Sequence, residues 1–160
     1  MLRRIAFGLV VGILYATTVF AQAAPAAAPA QPAAAAPSQF VFPGDGGLIL
    51  SFVKSDKTAD FEMVLNKLKE GLAKSDKPER KAQAAGWKVF KATETGANGV
   101  AIYVFVMDPV AKGSEYSVGN LLVEAFGAEG NTLYKTYSEA YGSPAIGALL
   151  HLTKVLELGK

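Results

Sequence analysis

His151 is the only histidine among 160 residues and cysteine is absent, so the chemistry available to this chain's side chains is narrow. One imidazole excludes multi-histidine zinc sites and the His-x-x-x-His helix; the lack of thiols excludes disulfides, thiolate metal centres and a cysteine nucleophile. No metal site is expected. His151 is able to ligate a haem iron alone, but within Leu149-Leu150-His151-Leu152 its ordinary role is a packed, hydrogen-bonded side chain. Serine catalysis lacks its frame, because Gly-x-Ser-x-Gly does not occur and the sole histidine lies in an apolar run. The acidic pairs Asp56 with Asp60 and Glu124 with Glu129 read as solvated surface. Gly44, Gly46 and Gly47 precede a strand instead of joining strand to helix, so they read as a flexible lead-in and not as a phosphate cradle. No catalytic residue is singled out and no cofactor is expected.

Aromatic side chains are better candidates, for binding more than for turnover. Trp87, the one tryptophan, opens an apolar strand, where it serves either as core or as the flat wall of a ligand site. Tyr134, Tyr137 and Tyr141 fall at helical spacing; they pack on a sheet with hydroxyls reaching the rim, or else line a pocket that Glu115-Tyr116 is placed to gate. Trp87, Tyr103, Phe105, Met107 and His151 form the candidate ligand-binding set, suited to a small apolar or aromatic molecule.

At the N-terminus, Arg3 and Arg4 precede an apolar run from Ile5 to Phe20, and Ala21-Gln22-Ala23 places small residues around a cleavage point. The order positive, apolar, A-x-A is that of an export signal, and the run falls short of the roughly 20 residues a spanning helix needs. Residues 1–23 therefore read as a cleaved signal peptide, leaving an exported periplasmic or extracellular chain without stable membrane insertion. Residues 24–37 are almost entirely Ala and Pro, too poor in apolar side chains to offset the entropy of ordering, and read as a disordered linker. Residues 38–160 remain as a single domain, long enough to bury a core unaided. Loss of Arg3 and Arg4 leaves 14 basic residues against 14 acidic ones, interspersed, so no nucleic-acid partner is expected.

Within the domain, Leu48–Val53 has strand length and apolar character. Phe61, Val64, Leu65, Leu68 and Leu72 recur at helical spacing, after a start near Thr58 to Asp60 with a capping residue and an early acid. Pro78 to Gly86 predicts a short helix with proline in its first turn. Trp87–Thr93 and Val100–Met107, joined by Gly96-Ala97-Asn98-Gly99, predict a hairpin. Val118, Leu121, Leu122 and Ala125 mark a helix stopped by Gly127; a second piece carries Asn131 as cap, the tyrosine stripe, and Gly142-Ser143-Pro144 as terminator. Ala145 to Leu158 fits strand or helix. As a strand it completes β-α-β-β-α-β, the ferredoxin-like split βαβ arrangement: an α+β domain with a four-stranded antiparallel sheet and helices on one face.

That order, the run into Asp60-Phe61-Glu62, the strand Gly86-Trp87-Lys88-Val89-Phe90 and Tyr103-Val104-Phe105-Val106 resemble the dimeric α/β-barrel superfamily. This superfamily includes cofactor-independent, antibiotic-biosynthesis-type monooxygenases and haem-handling proteins; the whole pattern is also similar to a family of exported bacterial proteins. The resemblance spans about residues 47–158. Its monooxygenases use a tryptophan and an asparagine to hold aromatic substrates and reactive oxygen intermediates. Trp87 invites the parallel, but Asn66 lies on the polar side of its helix and Asn98 in a turn. Two functions stand beside each other: a homodimeric small-molecule-binding or scaffold domain without turnover, which is preferred, and a cofactor-independent monooxygenase-like enzyme or haem-binding protein.

Assembly follows from alternation. In the first strand Leu48, Leu50 and Phe52 point to one face and Ile49, Ser51 and Val53 to the other; in the third, Val100, Ile102, Val104 and Val106 oppose Ala101, Tyr103, Phe105 and Met107. Both faces are apolar, and helices cover one. The expectation is that the helices take the aliphatic set, and that Tyr103, Phe105 and Met107 line an open face closed by a second subunit.

Overall fold

The computed structural model describes residues 38–159; the expected signal peptide and linker lie outside the described residues. Strand β1 (Gly46–Val53) runs through a 3₁₀ turn into helix α1 (Thr58–Lys74). Helix α2 (Pro78–Gly86) starts on its proline and passes without a loop into strand β2 (Trp87–Thr95). Strand β3 (Ala101–Met107) completes the hairpin; helices α3 (Val118–Phe126) and α4 (Ala128–Glu139) follow, then strand β4 (Tyr141–Leu152). The four strands form one antiparallel sheet in the order β2-β3-β1-β4, with β1 and β3 central. Among the described residues no helix is long and apolar enough to cross a membrane.

The ambiguous C-terminal segment is thus a strand through Leu152, and that strand begins earlier than expected; Thr153 to Leu158 belong to no strand or helix. Tyr141 and Gly142-Ser143-Pro144 belong to β4 and do not end a helix. Proline is tolerated there because β4 is an edge, and its pairing with β1 shifts register on either side of Ser51. Helix α4 begins at Ala128 instead of at an Asn131 cap, because Gly127, at φ +57°, reverses the chain at the end of α3 and starts the next helix directly. No side chain caps α1: Thr58 Oγ1 donates to the Ser55 carbonyl, while Lys57 and Asp60 pair at 2.9 Å. The glycine cluster is not a loose lead-in either. A Cβ on Gly47 would lie 2.5 Å from the Phe42 ring, so the missing side chain lets fully buried Phe42 lie across β1.

The two sheet faces are assigned the opposite way from the sequence expectation. Ile49, Ser51 and Val53 of β1, with Ala101, Tyr103, Phe105 and Met107 of β3, are buried beneath the helices. Phe61, Val64, Leu68 and Leu72 of α1, Leu121 and Leu122 of α3, and Leu133 and Tyr137 of α4 close that layer. Aromatic packing shows why. Phe61 stacks on Tyr137 at 4.9 Å between centroids, meets Tyr103 at 4.7 Å and takes Phe105 edge-on at 6.2 Å, contacts that only the aromatic face of β3 offers. The face left bare is the aliphatic one, where Leu48 pairs with Val106, Leu50 with Val104 and Phe52 with Ile102. Phe90 of β2, 54% exposed, and Leu150 of β4, 48% exposed, extend it to both edges.

Candidate functional site

Strand pairing brings the candidate residues onto one face. Trp87 lies opposite Met107, Met107 opposite Gly47, and Gly47 opposite His151, one row across the sheet on the side of the helices. Val89, Phe105, Ile49 and Leu149 form the next row, and Lys91, Tyr103, Ser51 and Ile146 the one after.

Between α1 and β2 a cleft of about 400 Å³ opens over the second row. Leu65, Leu68 and Leu72 of α1 form one wall; Trp87, Val89 and Phe105 form the other. Leu68, Leu72 and Phe105 are the buried part of these walls, while Asn66 and Lys69 stand at the exposed rim. The cleft exists because β2 is an edge strand: no element beyond it covers the outward side of Val89, which remains exposed. Hollows of about 450 and 510 Å³ also flank the segment after β4, walled by Val155, 90% exposed, and Leu156, and like the cleft they are open on one side.

Trp87 and Phe105 also line a second cavity of about 70 Å³, with Ser51, Tyr137 and Tyr141 and the first turn of α3 at Ser117, Val118 and Gly119. Among the described residues, Trp87 Nε1 and Ser51 Oγ are the two buried side-chain polar atoms without a hydrogen-bond partner. Ser51 Oγ nevertheless lies near enough to the Tyr141 phenol to favour its ionised form, against a larger opposing effect of burial. Tyr141 donates to the Tyr137 hydroxyl at 2.5 Å, and burial pushes the Tyr137 phenol well above its ordinary value. These hydroxyls turn inward to each other instead of reaching the rim; Tyr134 alone of the three is exposed. Tyr116 is a fixed wall and no gate, since it is buried and its hydroxyl accepts from the Ala111 N–H at 2.9 Å.

Beyond the cleft, along α1 and β2, Glu62 Oε1 accepts from Tyr103 at 2.5 Å and pairs with Lys91 at 2.9 Å. The Tyr103 hydrogen bond, then that of Lys91, lowers the Glu62 carboxyl; burial, then the carboxylate, raises the Tyr103 phenol. Tyr103 is therefore a structural donor here. Met107 is wholly buried, and His151 is exposed at the sheet edge, edge-on to Phe42 at 5.2 Å. Of the five candidates, Trp87 and Phe105 are the two that wall the cleft.

Sequence reasoning missed the polar brace behind α2, whose partners are far apart in the chain. Arg80 holds Glu124 of α3 through two hydrogen bonds, at 3.0 and 2.7 Å, and also donates to Gln83. Fully buried Gln83 donates in turn to the Glu115 carbonyl at 2.8 Å. The Arg80 hydrogen bond is the main cause that lowers the Glu124 carboxyl to about 2 from its ordinary 4.5. A depressed carboxylate contributes stability that is present above about pH 4.5 and is lost as pH falls through about 2. Because Glu124 is a third exposed, screening reduces that contribution to about 1 kcal/mol. Glu124→Gln is expected to destabilise the protein by that amount at pH 7 and by almost nothing at pH 2, measured by urea unfolding at both.

No protein-family model, curated protein or solved structure matches the chain.

Proposed function

We propose that this is an exported, homodimeric binding protein that holds a small apolar or aromatic molecule in the α1–β2 cleft without turning it over. The observation that carries the reading is the cleft itself. Its volume of about 400 Å³ falls in the range of small-molecule sites, and its apolar walls end in an indole and a phenyl ring, with Asn66 and Lys69 at the rim to orient a polar end. Native mass spectrometry of mature protein purified from its own host, with absorbance spectra, tests it. One small molecule per chain is expected; protein that is repeatedly ligand-free and takes up no added aromatic compound contradicts it.

The dimer is supported by the bare aliphatic face. A contiguous apolar surface over four strands is unusual on a monomer, and a twofold partner presenting the same face would cover it. The order β-α-β-β-α-β with β1 and β3 central supports the ferredoxin-like, dimeric α/β-barrel reading of the fold. Export is supported by the Arg3-Arg4, apolar, Ala21-Gln22-Ala23 order, and N-terminal sequencing of the mature protein is expected to begin at Ala24.

One observation favours a second reading. Asn66 and Trp87 line the same cleft, the two residue types that cofactor-independent monooxygenases of the resembled superfamily place around an aromatic substrate. Asn66 Nδ2, however, donates to the Glu62 carbonyl of its own helix at 3.0 Å. Oxygen consumption dependent on an added phenolic substrate and abolished in Asn66→Ala would establish turnover. Haem binding draws no such support, since His151 stands at the sheet edge outside the cleft.

A further inference from the structure

Polarity in the α1–β2 cleft is concentrated on one stretch of α1. Lys69 is the one charged residue that lines it, Asn66 is the one amide, and no carboxylate does. The two lie three apart in the helix, so they stand one turn from each other on the same exposed side. The carboxylates nearest to them along α1 are already engaged: Glu70 pairs with Lys67 at 3.7 Å, and Glu62 pairs with Lys91 of β2 at 2.9 Å. Each of these pairs is neutral. Lys69 has no such partner among the described residues, and Glu70, its neighbour in the chain, does not share its side of the helix. The rim therefore carries one uncompensated positive charge beside an apolar groove.

We infer that the molecule held in this cleft is an anionic amphiphile, with its apolar body between α1 and β2 and a single negative charge, such as a carboxylate, in water beside Lys69. The inference rests on the reading of the cleft as a binding site and adds the charge of the ligand to it. A point charge acts over several ångströms, within the roughly 10 Å screening length of 0.1 M salt, so selection by charge requires no hydrogen bond of fixed geometry. At an exposed rim the head group keeps most of its hydration; desolvation then costs little, and the attraction is correspondingly modest. A neutral ligand gains nothing from Lys69, and a cationic one is repelled by it.

1-Naphthoate and 1-naphthamide share a ring system and the shape of the polar end, and differ by one charge. Both are titrated into mature protein at about 20 mM salt, with the emission of Trp87, the only tryptophan, as the signal. Naphthoate is expected to bind about threefold more tightly than the amide, and at about 0.5 M salt the two affinities should meet. Lys69→Gln, at an exposed helical position whose substitution costs little stability, should bring them together at low salt as well, and Lys69→Glu should place the amide ahead. Failure of both probes to bind would contradict the cleft as a site and this inference with it. Equal affinities at low salt in the unmutated protein, or a preference for naphthoate that Lys69→Gln and added salt leave intact, would overturn the assignment of charge alone and leave the cleft in place.

Discussion

Phe105→Glu is expected to unfold the protein, whereas Val104→Glu, one residue earlier, should leave it folded and convert a dimer to a monomer. Phe105 is 2% exposed and sits between Phe61 and Trp87, with ring centroids at 6.2 and 6.3 Å. Removing such a ring costs about 3–5 kcal/mol, and a carboxylate in its place is buried without a partner. Against a typical domain stability of about 5–15 kcal/mol, the sum is enough to abolish the fold. Val104 points the other way, opposite Leu50 and Phe90 on the bare face. Its carboxylate would meet water in a monomer and an apolar surface in a dimer, so the cost falls on association. Circular dichroism and sedimentation velocity read the two outcomes separately. A folded Phe105→Glu protein would mean that the helices do not cover this face; a Val104→Glu dimer would mean that the aliphatic face is not the contact.

Phe61→Ala should produce the largest loss of stability among simple truncations. Its ring meets Tyr103, Phe105, Tyr137 and Tyr141, joining α1 to β3, α4 and β4 at one point. A cavity there is bordered by rigid rings that collapse poorly, so a cost of about 4 kcal/mol is expected in urea unfolding. Met63→Ala, two residues along α1 on the exposed side, is the matched control and should cost less than about 0.5 kcal/mol. If the two variants unfold at the same urea concentration, the ring cluster does not organise the core.

How far the fold was legible depended on whether the deciding signal was local. The Leu48–Val53 run, the spacing of Phe61 to Leu72, the proline that opens α2 and the Gly96–Gly99 turn are local, and β1, α1, α2 and the hairpin lie where those residues place them. Tyr141 shares helical spacing with Tyr134 and Tyr137, yet pairing of Val53 with Tyr141 draws it into β4. Alternation divided β1 and β3 into two sets but carried no sign for which set meets the helices. That sign resides in the match of Phe61 and Tyr137 to Tyr103 and Phe105, a contact between distant segments. Trp87 stood out because it is unique, and Phe105 for its place in the strand. The lack of hydrogen-bond partners at Ser51 and Trp87, and the Arg80–Glu124 brace, arise only once β1, β2, α2 and α3 converge.

The emission of Trp87 offers the most direct test of the α1–β2 cleft as a binding site. Titration of mature protein with 1-naphthoate, an aromatic ring with one polar end, should quench this single indole to saturation at one equivalent per chain. Val89→Glu, at the exposed wall of the cleft, should weaken that binding at least about tenfold by placing a like charge beside the ligand, with little loss of stability. Val104→Glu, on the far face of the sheet, should bind as the unmutated protein does, because the whole cleft belongs to one chain. An indole that does not respond, or a response that Val89→Glu leaves intact, would contradict the assignment of this cleft as the site.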